Sequence, residues 1–355
     1  MNIRTRNRIA HSLTARQLRR LLQNPLAGRE LELDNLRQRT VRFCAYSYSP
    51  RVDMNLAEVR RVVIEEGCNL VIDLRDNPYV RTLVVKDNFI GRINLSRSSI
   101  TKIRIGSNCR CDLIIHDSRE CFKLAAADVF SGRLDIENSC FHHLTFGYYC
   151  YADLRLQDNC GRKKIRLGDA FRGSLEAYGL EVPEISAGND CRGKIILKPG
   201  AAEKGVRRLA AGDDFKGLVD ASYYPHLAWA EFGRRAAGKM NFQGCPGLRV
   251  LKFERGFKGV ADLSDSGIEY IRALEEAAGS FIVVNCERLL QLKLPSDRKA
   301  IVTSDRYPLQ VRPRANCLPA RIPARRQSSA KRARQYGQTP ATRNTSPRAF
   351  TTATP

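Results

Sequence analysis

The chain has 355 residues, of which 43% are hydrophobic, and its 60 Lys and Arg against 37 Asp and Glu give a formal net charge of +23. That apolar fraction is enough for a folded body, but no apolar stretch reaches the length of a membrane span and no apolar signal region follows the N-terminus. We therefore expect a cytoplasmic protein without a transmembrane segment.

The positive charge is concentrated at the two ends. Residues 1–24 hold six Arg and residues 311–355 hold ten Lys or Arg, both without an acidic residue, which leaves +7 for the chain between them. Most of the basicity therefore belongs to the termini.

The first predicted elements are two short helices. The spacing of Leu over 14–23 and of Leu and Val over Asn55–Glu66 is typical of amphipathic helices, and Gly67 is the expected stop of the second. We expect 1–69 to form a helical N-terminal region that caps a repeat array, because a terminal repeat has no neighbour to cover it. The Arg-rich, acid-free start also fits a targeting signal, and this alternative stays open.

A repeat follows, in which large and small side chains alternate at steps of 20 to 24 residues. Its ten positions are Phe89, Cys109, Phe130, Cys150, Phe171, Cys191, Phe215, Ala236, Phe257 and Ala277. Steps of this length are typical of solenoids. We interpret the ten positions as one core slot, filled by large residues packed against small ones. The glycine that follows most of them by two residues indicates a turn with positive φ or a close backbone approach.

Each unit contains two short apolar alternations, such as Leu113/Ile115 after the glycine position and Phe122/Leu124 about ten residues later. A period of two predicts strands, and two strands in a unit of this length leave turns that are too short for a full helix in most units. We therefore predict a mainly β fold, a parallel β-solenoid of about ten coils over 70–306, in which each strand pairs with its equivalent in the next coil.

One segment resembles a known repeat family. Ile100–Asn108, with the sequence ITKIRIGSN, resembles the leucine-rich-repeat strand motif L-x-x-L-x-L-x-x-N, and Leu248, Leu251 and Phe253 repeat its apolar part. The resemblance extends over roughly 70–300. It identifies the region as a leucine-rich-repeat-like β-solenoid with atypical units, and it implies recognition of a protein partner on the strand face.

The 12 cysteines do not predict a disulfide framework. Cys109, Cys150 and Cys191 occupy the core slot, and Cys140 and Cys160 follow slot positions by ten residues. Because buried free cysteine behaves as a small hydrophobe, we expect reduced thiols in a reducing compartment.

Outward basic residues on the second strand of several units are the candidate binding site. They are Lys102, Arg104, Lys123, Lys164, Arg166 and Lys252. If the coils stack in register, these residues form a broken stripe for nucleic acid or an anionic lipid surface, although like charges also keep an exposed sheet face soluble. Aromatic residues near turns are candidates for contact with a protein. They are Tyr148, Tyr149, Tyr151, Tyr223, Tyr224 and Trp229.

Cys140, His142, His143 and Cys150 are ligand types that zinc prefers. Adjacent histidines on a strand point to opposite faces, and no phosphate-binding glycine loop occurs. We therefore predict no metal, no cofactor and no enzymatic activity, with a Cys/His enzyme around 140–150 as an alternative.

Residues 307–355 are rich in Pro, Arg, Ser, Thr and Ala, which predicts a disordered basic tail. Together these features predict a non-enzymatic repeat scaffold that recognises a macromolecular partner, foremost a protein. A bacterial effector exported into a host cell is one version of this hypothesis. A protein that binds nucleic acid or an anionic surface is the alternative.

Overall fold

The computed structural model describes residues 7–8, 30–32, 37–43, 51–161, 163–200, 204–295 and 300–305, which all belong to one compact unit. The predicted helix over 14–23 and the predicted tail over 307–355 lie outside these residues. Within the described ranges every regular element is a β-strand, so none of them contains a helix able to cross a membrane.

The strands alternate along the chain between two parallel sheets. The first sheet has 15 strands. In spatial order they are β1 (Asn7–Arg8), β2 (Glu30–Glu32), β4 (Arg51–Asp53), β6 (Asn69–Asp73), β8 (Ile90–Asn94), β10 (Arg110–His116), β12 (Arg133–Glu137), β14 (Asp153–Gln157), β17 (Ser174–Tyr178), β19 (Lys194–Lys198), β21 (Leu218–Asp220), β23 (Lys239–Asn241), β25 (Val260–Asp262), β27 (Ser280–Ile282) and β29 (Ile301–Thr303).

The second sheet has 14 strands. In spatial order they are β3 (Arg37–Phe43), β5 (Glu58–Ile64), β7 (Thr82–Val85), β9 (Lys102–Ile105), β11 (Phe122–Ala126), β13 (Cys140–Phe146), β16 (Lys164–Leu167), β18 (Glu184–Ala187), β20 (Arg208–Ala211), β22 (Trp229–Phe232), β24 (Val250–Phe253), β26 (Tyr270–Ala273) and β28 (Gln291–Lys293), with β15 (Cys160–Gly161) beside β13. One strand of each sheet makes up a coil, and each strand pairs in parallel with its equivalent in the next coil. The fold is therefore a parallel β-solenoid whose coils are about 21 residues apart.

The core lies between the two sheets and continues from coil to coil. Alternate side chains of each strand point inward, as in β10, where Cys111, Leu113 and Ile115 are buried, and in β11, where Phe122 and Leu124 are buried. These residues belong to one continuous hydrophobic cluster. Parallel stacking in register places like positions above one another, so each inward row of side chains is shared by successive coils.

The ten slot residues are all buried, none being more than 1% exposed. The residue before the slot turns the corner in the left-handed backbone conformation, with φ of 60° at Asn88 and 55° at Asn108. The glycine two residues after the slot has positive φ in two coils, at Gly91 and Gly132, but in the other coils it has a different function. Gly173 has no positive φ, but a Cβ there would overlap the carbonyl oxygen of Ala152 in the preceding coil. Close approach of two coils therefore explains the repeated glycine.

A carboxylate and a second glycine alternate at the same corner. Oδ1 of Asp128 accepts a hydrogen bond from the backbone N–H of Tyr148 in the next coil at 2.8 Å, and a Cβ on Gly147 would overlap that oxygen. The Asp acceptor in one coil thus requires a glycine in the next coil. This alternation of Asp and glycine has the same two-coil period as the alternation of large and small residues in the slot. The same pairing recurs at Asp87 with Gly106 and at Asp169 with Gly188.

The predicted helix over Asn55–Glu66 is wrong, because most of this segment is strand β5. Val62 and Ile64 are buried and β5 pairs with strands on both sides, whereas Leu56 is 63% exposed. The run of β-branched residues favours extended backbone, and pairing with two neighbours overrides the helical spacing. The predicted helical N-terminal cap is therefore not part of the described fold.

The solenoid has about 12 turns, more than the ten expected. Its sheets continue upstream of residue 70 through β4, β5 and β6. Cys68, 21 residues before Phe89, is fully buried and follows the left-handed Gly67. It therefore occupies the slot of an earlier coil, although the residue two positions later is Leu70 instead of glycine.

Candidate functional site

Four neighbouring strands of the second sheet, β9, β11, β13 and β16, place basic side chains side by side on the outer surface. In the register of these strands Lys102 pairs with Lys123, Lys123 pairs with His143, and Leu144 pairs with Ile165, so that Lys164 continues the row. A second outward row begins at Arg104 and ends at Arg166. We call Lys102, Arg104, Lys123, Lys164 and Arg166 the basic face.

The basic face is compact and of one sign. Its strands are about 4.8 Å apart and its two rows about 7 Å apart, so the five Cα atoms lie within about 14 by 7 Å. No outward residue of these four strands is acidic. Among the described residues Lys164 alone of the five forms an ion pair, with Glu184 at 3.7 Å.

His143 lies between Lys123 and Lys164 in the same row, and sequence spacing does not reveal this position. The pairing of β11 with β13 shifts between Phe122 and Lys123, which leaves His142 out of the row. Burial, followed by the positive charges of Lys163 and Lys123, lowers the pKa of His143. This shift keeps the imidazole neutral near pH 7, and the charge of the face then comes from Lys and Arg.

The structure does not bring Lys252 to the other five predicted residues. Lys252 lies on β24, separated from β16 by three intervening strands of the sheet. Its Nζ is 2.5 Å from Glu254 Oε1, and Glu231 occupies the paired position on β22. The predicted stripe is therefore divided, and its continuous part is the basic face.

The outward polar residues at the ends of several first-sheet strands have a structural function. Oδ1 of Asp73 accepts the backbone N–H of Arg75 at 3.2 Å, and Oδ1 of Asp262 accepts that of Ser264 at 3.0 Å. Such Asx turns end the strand and begin the corner. These side chains are therefore committed to the backbone and are poor candidates for recognition.

Three of the predicted aromatic residues form one exposed cluster. The rings of Tyr148 and Tyr149 are 4.2 Å apart edge to face, and those of Tyr149 and Tyr151 are stacked at 6.2 Å. All three are between 37% and 50% exposed. Tyr224 does not belong to this surface, because it is buried and its hydroxyl oxygen accepts the backbone N–H of Val206 at 2.9 Å.

The predicted Cys/His combination is not assembled. Cys150 is fully buried in the core slot, where its thiol cannot reach a substrate in solution, and burial raises the pKa of that thiol to about 11. Cys140 instead contacts Cys121, with 3.1 Å between the two Sγ atoms. In the part of the chain that the structure describes, no three His, Cys, Asp or Glu side chains are grouped to hold a metal ion.

Comparison with protein-family models, with curated proteins and with solved structures finds no match to this chain. The resemblance to leucine-rich repeats therefore remains a prediction. At its asparagine position Asn108 Nδ2 donates to Asn88 Oδ1 at 2.7 Å, but Val129 and Tyr149 occupy the same left-handed position in the next coils. A continuous row of asparagines is thus not built at this position of the coils.

Proposed function

We propose that this chain is a non-enzymatic repeat scaffold that binds a phosphate-rich polyanion through the basic face. The observation that supports the proposal is the absence of an outward acidic residue on β9, β11, β13 and β16, where five Lys and Arg residues lie together. A solvated sheet face needs charge, but mixed charge would serve as well. A patch of one sign on a rigid sheet favours an anionic partner.

Binding would follow from neutralisation of phosphates by fixed cations. Each phosphate that a Lys or Arg neutralises releases condensed counterions, so affinity falls steeply with salt and depends little on sequence. Pairing within the parallel sheet fixes the backbone under all five residues, so the cations are positioned before the partner arrives. The Arg and Lys residues of 311–355 would add electrostatic attraction of longer range.

The test compares two variants of the full chain with equal net charge. One has Gln in place of the five residues of the basic face. The matched control has Gln in place of five arginines of the C-terminal segment, Arg325, Arg326, Arg332, Arg334 and Arg343. Each variant loses five positive charges, so only the position of the charge differs.

The probes are a duplex DNA of about 20 base pairs and vesicles of phosphatidylcholine with about 30% phosphatidylserine, at about 0.15 M salt. For one of the two probes, we expect the basic-face variant to bind on the order of tenfold more weakly than the control variant does. The probe that shows the difference identifies nucleic acid or lipid as the source of the phosphates. Equal losses in both variants would refute the basic face as a site.

A protein partner, as the leucine-rich-repeat resemblance implies, is the second candidate, and the exposed cluster of Tyr148, Tyr149 and Tyr151 favours it. Tyrosine is enriched in protein interfaces because it combines apolar area with a polar group. A variant with Ser at these three positions should no longer capture one defined protein. The Tyr223→Ser variant and the basic-face variant should still capture that protein. Export into a host cell belongs to this version, and a reporter fused to 1–24 would test it.

A further inference from the structure

Three cysteines occupy equivalent positions in successive coils, at the corner that precedes the second-sheet strands. Cys140 and Cys160 are paired in register, and Cys121 precedes Phe122, which pairs with Phe141. The Sγ atoms of Cys121 and Cys140 are 3.1 Å apart. Cys160 also contacts Cys140 through its thiol. The three sulfur atoms therefore form a column along the stacking direction, with Cys140 in the middle.

This thiol column differs from the other described cysteines in exposure. Cys160 is exposed and Cys121 and Cys140 are partly exposed, whereas the remaining described cysteines are buried. Several of the buried thiols also donate hydrogen bonds to backbone carbonyls. The Sγ of Cys245 donates to Ala221 O at 2.8 Å, and the Sγ of Cys286 donates to Leu263 O at 3.0 Å. Among the described cysteines, those of the thiol column are therefore the ones most accessible to a reagent in solution.

We propose that Cys121, Cys140 and Cys160 form a thiol–disulfide exchange site that reacts with a small-molecule disulfide and links adjacent coils covalently. The proposal is independent of the polyanion-binding function. Backbone spacing permits the link, because neighbouring strands are about 4.8 Å apart and disulfides join Cα atoms about 4.4–6.8 Å apart. Cys121 and Cys160 lie two coils apart, near 9.6 Å, and cannot be joined directly.

The reaction has two steps that oxidise the protein and a third that moves the bond. The Cys160 thiolate attacks one sulfur of the small disulfide, forms a mixed disulfide and releases one small thiolate. The Cys140 thiolate then attacks the Cys160 sulfur, forms the Cys140–Cys160 bond and releases the second small thiolate. One disulfide is thereby reduced to two thiols, which take up the two protons that the cysteines lose. Attack of Cys121 on Cys140 would shift the bond to Cys121–Cys140 and restore the Cys160 thiol.

Oxidised glutathione in excess over the reduced full chain is the probe. Partial desolvation of the sulfur, followed by its hydrogen bond with Cys140, raises the pKa of the Cys160 thiol to about 11, so the incubation lasts hours at mildly alkaline pH. Remaining thiols are then blocked and the chain is digested with trypsin without reduction. The three cysteines fall in separate peptides, 120–123, 134–155 and 156–162, and mass spectrometry therefore identifies each link.

We expect linked peptides that always contain Cys140, namely Cys140–Cys160, Cys121–Cys140 or both. Cys140→Ala should abolish every link within the column and leave glutathione on Cys160. Because Cys150 shares a tryptic peptide with Cys140, Cys150→Ala is the matched control, and it should leave the links unchanged. Alanine is tolerated in that slot at Ala236 and Ala277.

Two results would overturn the proposal. One is a wild-type chain that accumulates only glutathione adducts, without any link between these peptides. The other is a Cys121–Cys160 link, or a link that persists in Cys140→Ala, since either would mean that the three thiols are not stacked in this order.

Discussion

Replacement of Phe171 by alanine tests the alternating core slot. The side chain is 1% exposed and lies against the backbone of Gly193 in the next coil, where a Cβ would come within 2.5 Å of its Cδ1 and Cε1 atoms. A buried phenylalanine removes at least about 150 Å² from water, which at about 25 cal/mol per Å² corresponds to about 4 kcal/mol. Because Gly193 has no side chain to fill the space, the free energy of unfolding should fall by about 3–5 kcal/mol.

The matched control is Cys191→Ala, which changes the same slot in the next coil but removes one heavy atom and should cost about 1 kcal/mol or less. Urea unfolding is followed by circular dichroism and by the fluorescence of the single tryptophan, Trp229. Coincident transitions are needed before a free energy is assigned, since repeat arrays can unfold in parts. A decrease below about 0.5 kcal/mol for Phe171→Ala would refute the slot.

Three further perturbations address the corners and the buried polar groups. Gly147→Ala should lower the free energy of unfolding by about 1–3 kcal/mol, because the new methyl group overlaps Asp128. Asn77→Ala should lower it by about 2–4 kcal/mol, since the buried amide donates to the carbonyls of two residues and accepts two backbone N–H groups. Burial raises the pKa of Cys150 and of Cys191 from 9.0 to about 11. The folded state therefore holds these protons more tightly than the unfolded state does. The urea concentration at the unfolding midpoint of the reduced protein should therefore decrease as the pH rises from about 9 to about 11.

Controls separate these effects from general damage. Gly67→Ala meets no atom within 4 Å but has φ of +68°, so it should cost only the backbone strain of about 1 kcal/mol. Thr101→Ala removes a single exposed hydrogen bond to Arg81 O and should cost about 0.5 kcal/mol. Cys150→Ala should reduce the alkaline decrease in the urea midpoint. An alkaline decrease that is equal in Cys150→Ala, or a Gly147→Ala variant as stable as wild type, would contradict the assignments.

Residue spacing predicts the solenoid because its period is imposed by stacking. Every coil must return a residue to the same corner, so the alternation from Phe89 onward is visible without coordinates. Cys68 does not fit this pattern in the sequence, because Leu70 occupies the position at which most later units have glycine. The helical prediction for the segment from Asn55 to Glu66 fails because its apolar spacing fits both a helix and a strand. Only pairing with β3 and β7 decides between them.

The candidate site could be predicted in part. The sequence predicts the grouping of five of the six basic residues, because they occupy outward positions on strands that are consecutive in the sheet. The separation of Lys252 from these five is seen only when the strands between β16 and β24 are counted. The position of His143 depends on a register shift that no spacing reveals. The thiol column does leave a signal, because Cys121, Cys140 and Cys160 are 19 and 20 residues apart, close to one coil. That signal gains meaning only when the three residues are known to share a corner.

The salt dependence of duplex DNA binding tests the central claim most directly. The slope of log K against log salt is measured for wild type, for the basic-face variant and for the equal-charge tail variant, with vesicle binding in parallel. Each phosphate that a variant no longer neutralises should reduce the slope by about 0.9. We predict that the slope decreases more in the basic-face variant than in the tail variant, and that wild type keeps measurable affinity above about 0.15 M salt. A slope that decreases only when tail arginines are removed would show that the charge acts through the termini, and would contradict the basic face as a binding site.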